Sequence, residues 1–134
     1  MRKIEHIGIA VQDIEASNKV FTKIFGLESY KSESVESESV VTSFFLVGES
    51  KIELVAATNQ DSPIAKYLTK NREGMHHIAF DVEDIKAEMK RLQSEGIRTL
   101  NDQPKQGADN KLICFLHPKD TNGVLIELCQ EIGQ

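Results

Sequence analysis

The sequence predicts an α+β fold made of two tandem β-α-β-β-β modules, and three observations predict it. Ile4 to Ala16, IEHIGIAVQDIEA, returns at Met75 to Ala87 as MHHIAFDVEDIKA; a shift of 71 residues superposes His6 on His77, Val11 on Val82 and Asp13 on Asp84. Lys51-Ile52-Glu53-Leu54 returns as Leu125-Ile126-Glu127-Leu128 after a shift of 74. Each half also runs through the same succession of patterns, an alternating stretch, a helically spaced one and then further strand-like runs. The organisation expected is one domain over 1–134, with module one at about 1–58, a connector at 59–74 and module two at 75–134.

Residues 4 to 11 alternate, with Ile7, Ile9 and Val11 on one face and His6, Gly8 and Ala10 on the other, as in a half-buried strand. Asp13 reads as a helix N-cap, followed by Ile14, Val20, Phe21, Ile24 and Phe25 at helical spacing and ended by Gly26. Leu27 to Tyr30 reads as a short strand and the polar run KSESVESES, residues 31 to 39, as a loop or hairpin end. Val40 to Val47 and Lys51 to Ala56 read as strands around a Gly48-Glu49-Ser50 turn. In the connector, Asp61-Ser62-Pro63 starts a helix that buries Ile64, Tyr67 and Leu68 and closes by Gly74.

The second half repeats this plan. His77, Ala79 and Asp81 share one strand face and Ile78, Phe80 and Val82 the other. Asp84 caps a helix carrying Ile85, Met89 and Leu92, with Gly96 at its end. Ile97 to Leu100 reads as a short strand, 101 to 111 as a polar loop, and Leu112 to Leu116 and Val124 to Cys129 as the last two strands.

A net charge of -5 with no basic stripe argues against nucleic acid as a partner. No apolar run reaches bilayer-spanning length and the first residues do not resemble a secretion signal, so a cytoplasmic protein without a membrane partner is expected. Cys114 and Cys129 sit in apolar stretches without CxxC spacing and read as reduced, buried thiols.

The repeat also proposes a site. Each half places one histidine early and one glutamate late, each on a strand-like stretch, and packing the halves symmetrically gathers His6, Glu53, His77 and Glu127. Imidazole and carboxylate together suit one divalent ion such as Zn, Co, Ni or Mn. Four protein ligands leave open positions on an octahedral ion, as a catalytic metal needs. Of the neighbours His76 and His77, only one can face the site, and the repeat selects His77. His117, before Pro118, is expected at the rim or in a structural bond. Lys105, Lys111 and Lys119 cluster late in module two, either to meet an anionic substrate or to balance charge.

Paired β-α-β-β-β halves with this His/Glu pattern resemble the vicinal oxygen chelate superfamily, which includes glyoxalase I, and within it the methylmalonyl-CoA epimerase family. The stretches that carry the resemblance are HIGIAV with Asp13, VGESKIEL, DSPIAKYL, GMHHIAF and GADNKLICFLHPKDTNGVLIEL. It implies a curved, incomplete barrel around a metal held by His6, His77 and Glu127, with Glu53 at the fourth position. It implies epimerisation of (2R)/(2S)-methylmalonyl-CoA by α-proton transfer through a metal-stabilised enolate, with Glu127 at the metal. The family's loop base falls on or near Ser37, so Glu36 or Glu38 would have to supply it. Lys111 and Lys119 would then meet the acyl-CoA, and relatives of this size suggest a homodimer. A glyoxalase I-like lactoylglutathione lyase, isomerising a glutathione adduct, and a non-catalytic small-molecule-binding protein of the same fold are the alternatives.

Overall fold

The alternating N-terminal stretch forms β1 (Lys3–Ala10), and the run after Asp13 forms α1 (Ile14–Phe25), in the computed structural model, which describes residues 1–133. In chain order there follow β2 (Lys31–Val35), β3 (Val40–Val47), β4 (Ser50–Ala57), α2 (Pro63–Lys70), β5 (Gly74–Asp81), α3 (Ile85–Ser94), β6 (Lys105–Gln106), β7 (Lys111–Phe115) and β8 (Ile126–Glu131). Two short 3-10 turns lie at Glu36–Glu38 and Pro118–Asp120. The architecture is α+β, and each half has the order β-α-β-β-β with α2 between them.

The chain packs as two compact units, one of Ile7–His76 and one of Met1–His6 with His77 onward. In the unit of residues 7–76 the strand order is β2-β3-β4-β1. β3 and β4 form an antiparallel hairpin from Val40↔Ala57 to Val47↔Ser50, turned by two residues, with Gly48 at the left-handed φ of 64° such a turn favours. The Asp13 carboxylate accepts from Ala16 N at 3.1 Å, satisfying an otherwise orphaned helix donor, and Gly26 closes α1 at φ 70°. Phe21 and Phe25 of α1 pack on the fully buried Phe45 with ring centroids 6.4 and 5.5 Å away. Val11, Leu54 and Ala56 complete that core, and a second group of Ala10, Val40, Val55 and Ile64 lies under α2.

In the other unit the order is β1-β5-β8-β7-β6. β5 and β8 run parallel, a pairing that requires the long crossover through α3. β7 pairs antiparallel with β8. Asp84 repeats the cap of Asp13, accepting from Ala87 N at 3.1 Å. The core gathers Val82, Ile85, Met89, Cys114, Leu116 and Leu128. Cys114 and Cys129 are buried thiols, neither of them in a disulfide. No described helix is long and apolar enough to cross a membrane.

Three local expectations change. The third element is Lys31–Val35, not Leu27 to Tyr30. It is an edge strand, and its polar, charged sequence is what exposed edges carry, so polarity hid its period of two. Ile97 to Leu100 forms no strand beyond a single bridge of Thr99 to Leu116; Ile97 N–H donates back to Leu92 O and closes α3, and the sixth strand is Lys105–Gln106. The connector helix ends at Lys70 with Asn71 as its cap, and Gly74 begins β5 instead of closing the helix.

Candidate functional site

Register brings the two histidines together. Arg2 N–H donates to Asp81 O at 2.8 Å across the neighbouring strands β1 and β5. His6 lies four residues after Arg2 and His77 four before Asp81, an even step that keeps both imidazoles on one face. On the next strand Glu127 sits opposite Ala79, whose small side chain leaves room beside His77. His6, His77 and Glu127 are each at most 9% exposed, and all three lie in one unit.

Their reactive atoms form a nearly regular triangle. His6 Nε2 is 3.1 Å from His77 Nε2 and 3.0 Å from Glu127 Oε1, and His77 Nε2 is 3.3 Å from the same oxygen. Ligand atoms about 2.0–2.2 Å from a divalent ion lie about 3.0–3.4 Å from each other. Glu127 Oε1 is buried, with the two ring nitrogens beside it. Converging lone pairs at such distances want a cation between them. Two imidazoles and a carboxylate fit a borderline metal and leave coordination positions open.

Burial pushes the Glu127 carboxyl up, but hydrogen bonding and charge from His6 and His77 outweigh it and hold the group down, to about 2. Glu127 is therefore an anion at neutral pH and a weak base, suited to holding positive charge. The Cys114 thiol is pushed up to about 11, first by desolvation and further by the Glu127 charge, against a backbone hydrogen bond from Asn101 that lowers it. It is no nucleophile at neutral pH.

The other expected residues divide. Glu53 is a buried carboxylate on β4, opposite Phe44, in the unit of residues 7–76. Glu36 is exposed and Glu38 half-buried in the turn that follows β2. Lys111 is buried, its Nζ donating to Asp109 O at 3.4 Å, and Lys119 is exposed. His76 stands edge-on to Tyr67, with ring centroids 4.8 Å apart. His117 makes a structural bond, its Nδ1 accepting from Lys119 N at 3.2 Å.

One residue was not anticipated. Glu5 is 2% exposed, and its Oε1 accepts from His6 Nδ1 at 2.8 Å. Alternation puts Glu5 with Ile7 and Ile9, so the available signal was a carboxylate on an apolar strand face.

The sequence profile of the glyoxalase/bleomycin resistance protein/dioxygenase superfamily matches residues 5–115. The chain belongs to that superfamily. Among its superfamily relatives it is 41% identical over 130 residues to the ethylmalonyl-CoA/methylmalonyl-CoA epimerase of Cereibacter sphaeroides, a match covering 96% of this chain and 97% of that one. It is 39% identical over 129 residues to the mitochondrial methylmalonyl-CoA epimerase of Homo sapiens, covering 96% and 73%. A variant of Streptomyces coelicolor methylmalonyl-CoA epimerase in complex with 2-nitronate-propionyl-CoA matches the fold with a TM-score of 0.95 at 36% identity, covering 99% and 96%. These superfamily members are epimerases, enzymes of the racemase and epimerase class.

Proposed function

We propose that this chain is a metal-dependent methylmalonyl-CoA epimerase that interconverts the (2R) and (2S) thioesters by moving the α-proton. The observation that carries the proposal is the buried triangle of His6, His77 and Glu127 in a chain that aligns with such epimerases over nearly its whole length. These three residues hold one divalent ion of the Co, Zn, Ni or Mn type. When bound, that ion supplies a sink for the negative charge that develops on the substrate's thioester and carboxylate oxygens as the proton leaves.

The chain's own residues do the rest. Glu127, held well below the usual carboxylate range, offers a fixed anion and does not compete for the proton. Glu36 or Glu38, in the turn after β2, takes the proton. Epimerisation returns a proton to the opposite face of the carbon, from a second group or from water. Lys119, exposed within the Pro118–Asp120 turn, meets the phosphates of the acyl carrier, and Lys111 lies buried in β7 of the same half.

The proposal extends to a cytoplasmic homodimer. Two buried thiols outside any disulfide suit a reducing compartment. Val20, Ile24 and Leu27, spaced along one side of α1 and its end, are apolar and exposed, a surface a second copy would cover. Light scattering that finds a monomer at every working concentration overturns the dimer.

The activity is tested by α-proton exchange in deuterated water, with methylmalonyl-CoA, ethylmalonyl-CoA and the methylglyoxal–glutathione adduct assayed side by side. Deuterium should enter methylmalonyl-CoA. Turnover of the glutathione adduct alone would replace the epimerase proposal with a lactoylglutathione lyase, and no exchange in any arm would leave a binding protein.

A further inference from the structure

We propose that Glu5 is a positioning residue that sets the tautomer and ring orientation of His6. The inference rests on the metal-ligand role proposed for His6, but its first test does not need the metal.

A carboxylate is rarely found on the apolar side of a strand, because desolvating the charge costs several kcal/mol unless a partner compensates. Glu5 stands in that place, 2% exposed, and its Oε1 lies 2.8 Å from His6 Nδ1, itself part of a 5% exposed residue. A carboxylate can only accept here, so Nδ1 carries the proton. In a neutral imidazole that leaves Nε2 with its lone pair. Nε2 is the atom that faces His77 Nε2 and Glu127 Oε1. Glu5 thus turns one ring nitrogen into an anchor and frees the other for a cation. The hydrogen bond also fixes the ring edge-on to His77, at an interplanar angle of 88°. A carboxylate behind a ligating histidine raises its basicity, and losing such a partner typically costs about 10–100-fold in metal affinity.

A merely structural role gives a different pattern. If Glu5 only neutralised a charged His6, both ring nitrogens would be protonated.

The test uses the full chain stripped of metal, with its histidines labelled by nitrogen-15. Long-range nitrogen–proton correlation spectra, taken at a pH where the ring is neutral, should show His6 protonated at Nδ1 and bare at Nε2. Glu5→Leu, which removes the acceptor while keeping an apolar volume, should abolish that preference and weaken binding of Co²⁺ alone by roughly 10- to 100-fold. Glu5→Gln keeps a weaker acceptor. It should retain the tautomer with an intermediate loss of affinity, and it serves if the leucine variant does not fold. A wild-type His6 protonated at both nitrogens, or at Nε2 alone, overturns the proposal. So does a folded Glu5→Leu, or failing that Glu5→Gln, whose Co²⁺ affinity equals that of wild type. A wild type that shows the expected tautomer yet binds no Co²⁺ refutes the metal role of the triangle and leaves the positioning by Glu5 standing.

Discussion

His6 and His77 meet edge to face, their ring centroids 5.2 Å apart and their Nε2 atoms 3.1 Å apart, although 71 residues separate them in the chain. Glu127 Oε1, 3.0 Å from His6 Nε2 and 3.3 Å from His77 Nε2, completes the same corner. One divalent ion per chain should fill it. Elemental analysis of the purified protein should find close to one equivalent, and His6→Ala or His77→Ala should each lower affinity by more than about 100-fold, beyond the loss of an outer partner. Ligation needs neutral imidazole, so affinity should fall as pH drops and protons compete for the ring nitrogens. A metal-free protein with full activity ends this proposal.

Glu127→Gln keeps the shape of the side chain and removes its charge. The charge matters most where positive charge must be held against a developing anion, so the loss should appear in kcat, by about 10²–10³-fold, and much less in KM. Steady-state kinetics on methylmalonyl-CoA checks this. A rise in KM with unchanged kcat would make Glu127 a substrate-binding group instead.

Glu36→Gln and Glu38→Gln should behave unequally, because only one carboxylate can be aimed at the carbon. One should slow α-proton exchange by about 10²–10⁴-fold, the usual worth of a general base, and the other should leave it near wild type. Exchange in deuterated water reads this directly. Wild-type rates in both variants reject the turn after β2 as the source of the base.

Cys114 should resist alkylation. With a thiol at about 11, only about one molecule in a thousand carries the thiolate at pH 8. Its folded value lies above the unfolded value of 9.0, so the protonated thiol favours the folded state. That contribution is complete below pH 9 and is lost as pH rises toward 11. Iodoacetamide labelling followed by mass spectrometry at pH 8 should leave Cys114 unmodified in the native protein and modify it in urea.

Phe45→Ala should destabilise the protein by about 3–5 kcal/mol, through lost burial and the cavity left beneath Phe21 and Phe25. Urea unfolding checks it. A loss under about 1 kcal/mol would mean that this aromatic group does not hold α1 to the sheet.

Much of this was readable from the chain, for a physical reason. Alternation and capping are local signals, so β1, α1, β3 and α3 follow from Asp13, Asp84 and the spacing of their apolar residues. The His6 and His77 pairing was readable because the repeat made a long-range relation into a comparison of two short stretches. β2 was missed because Ser32, Glu33 and Ser34 look like a loop, and only its pairing with β3 makes them a strand. Glu5 was missed because alternation treats neighbours as facing apart, whereas a long side chain can reach back to the adjacent ring. Ile97 reads as strand by its branched side chain, and the helix end it closes is visible only in its backbone bond to Leu92.

β1 belongs to both units, its first residues up to His6 to one and the rest to the other. This division has a consequence for the order of synthesis. The unit of residues 7–76 is fully synthesised once His76 has left the ribosome. His6 is made before any of it, yet its partners His77 and Glu127 emerge 71 and 121 residues later, so the triangle closes only after Glu127 has been made. A nascent chain stalled short of Glu127 would therefore lack one corner of the triangle of His6, His77 and Glu127.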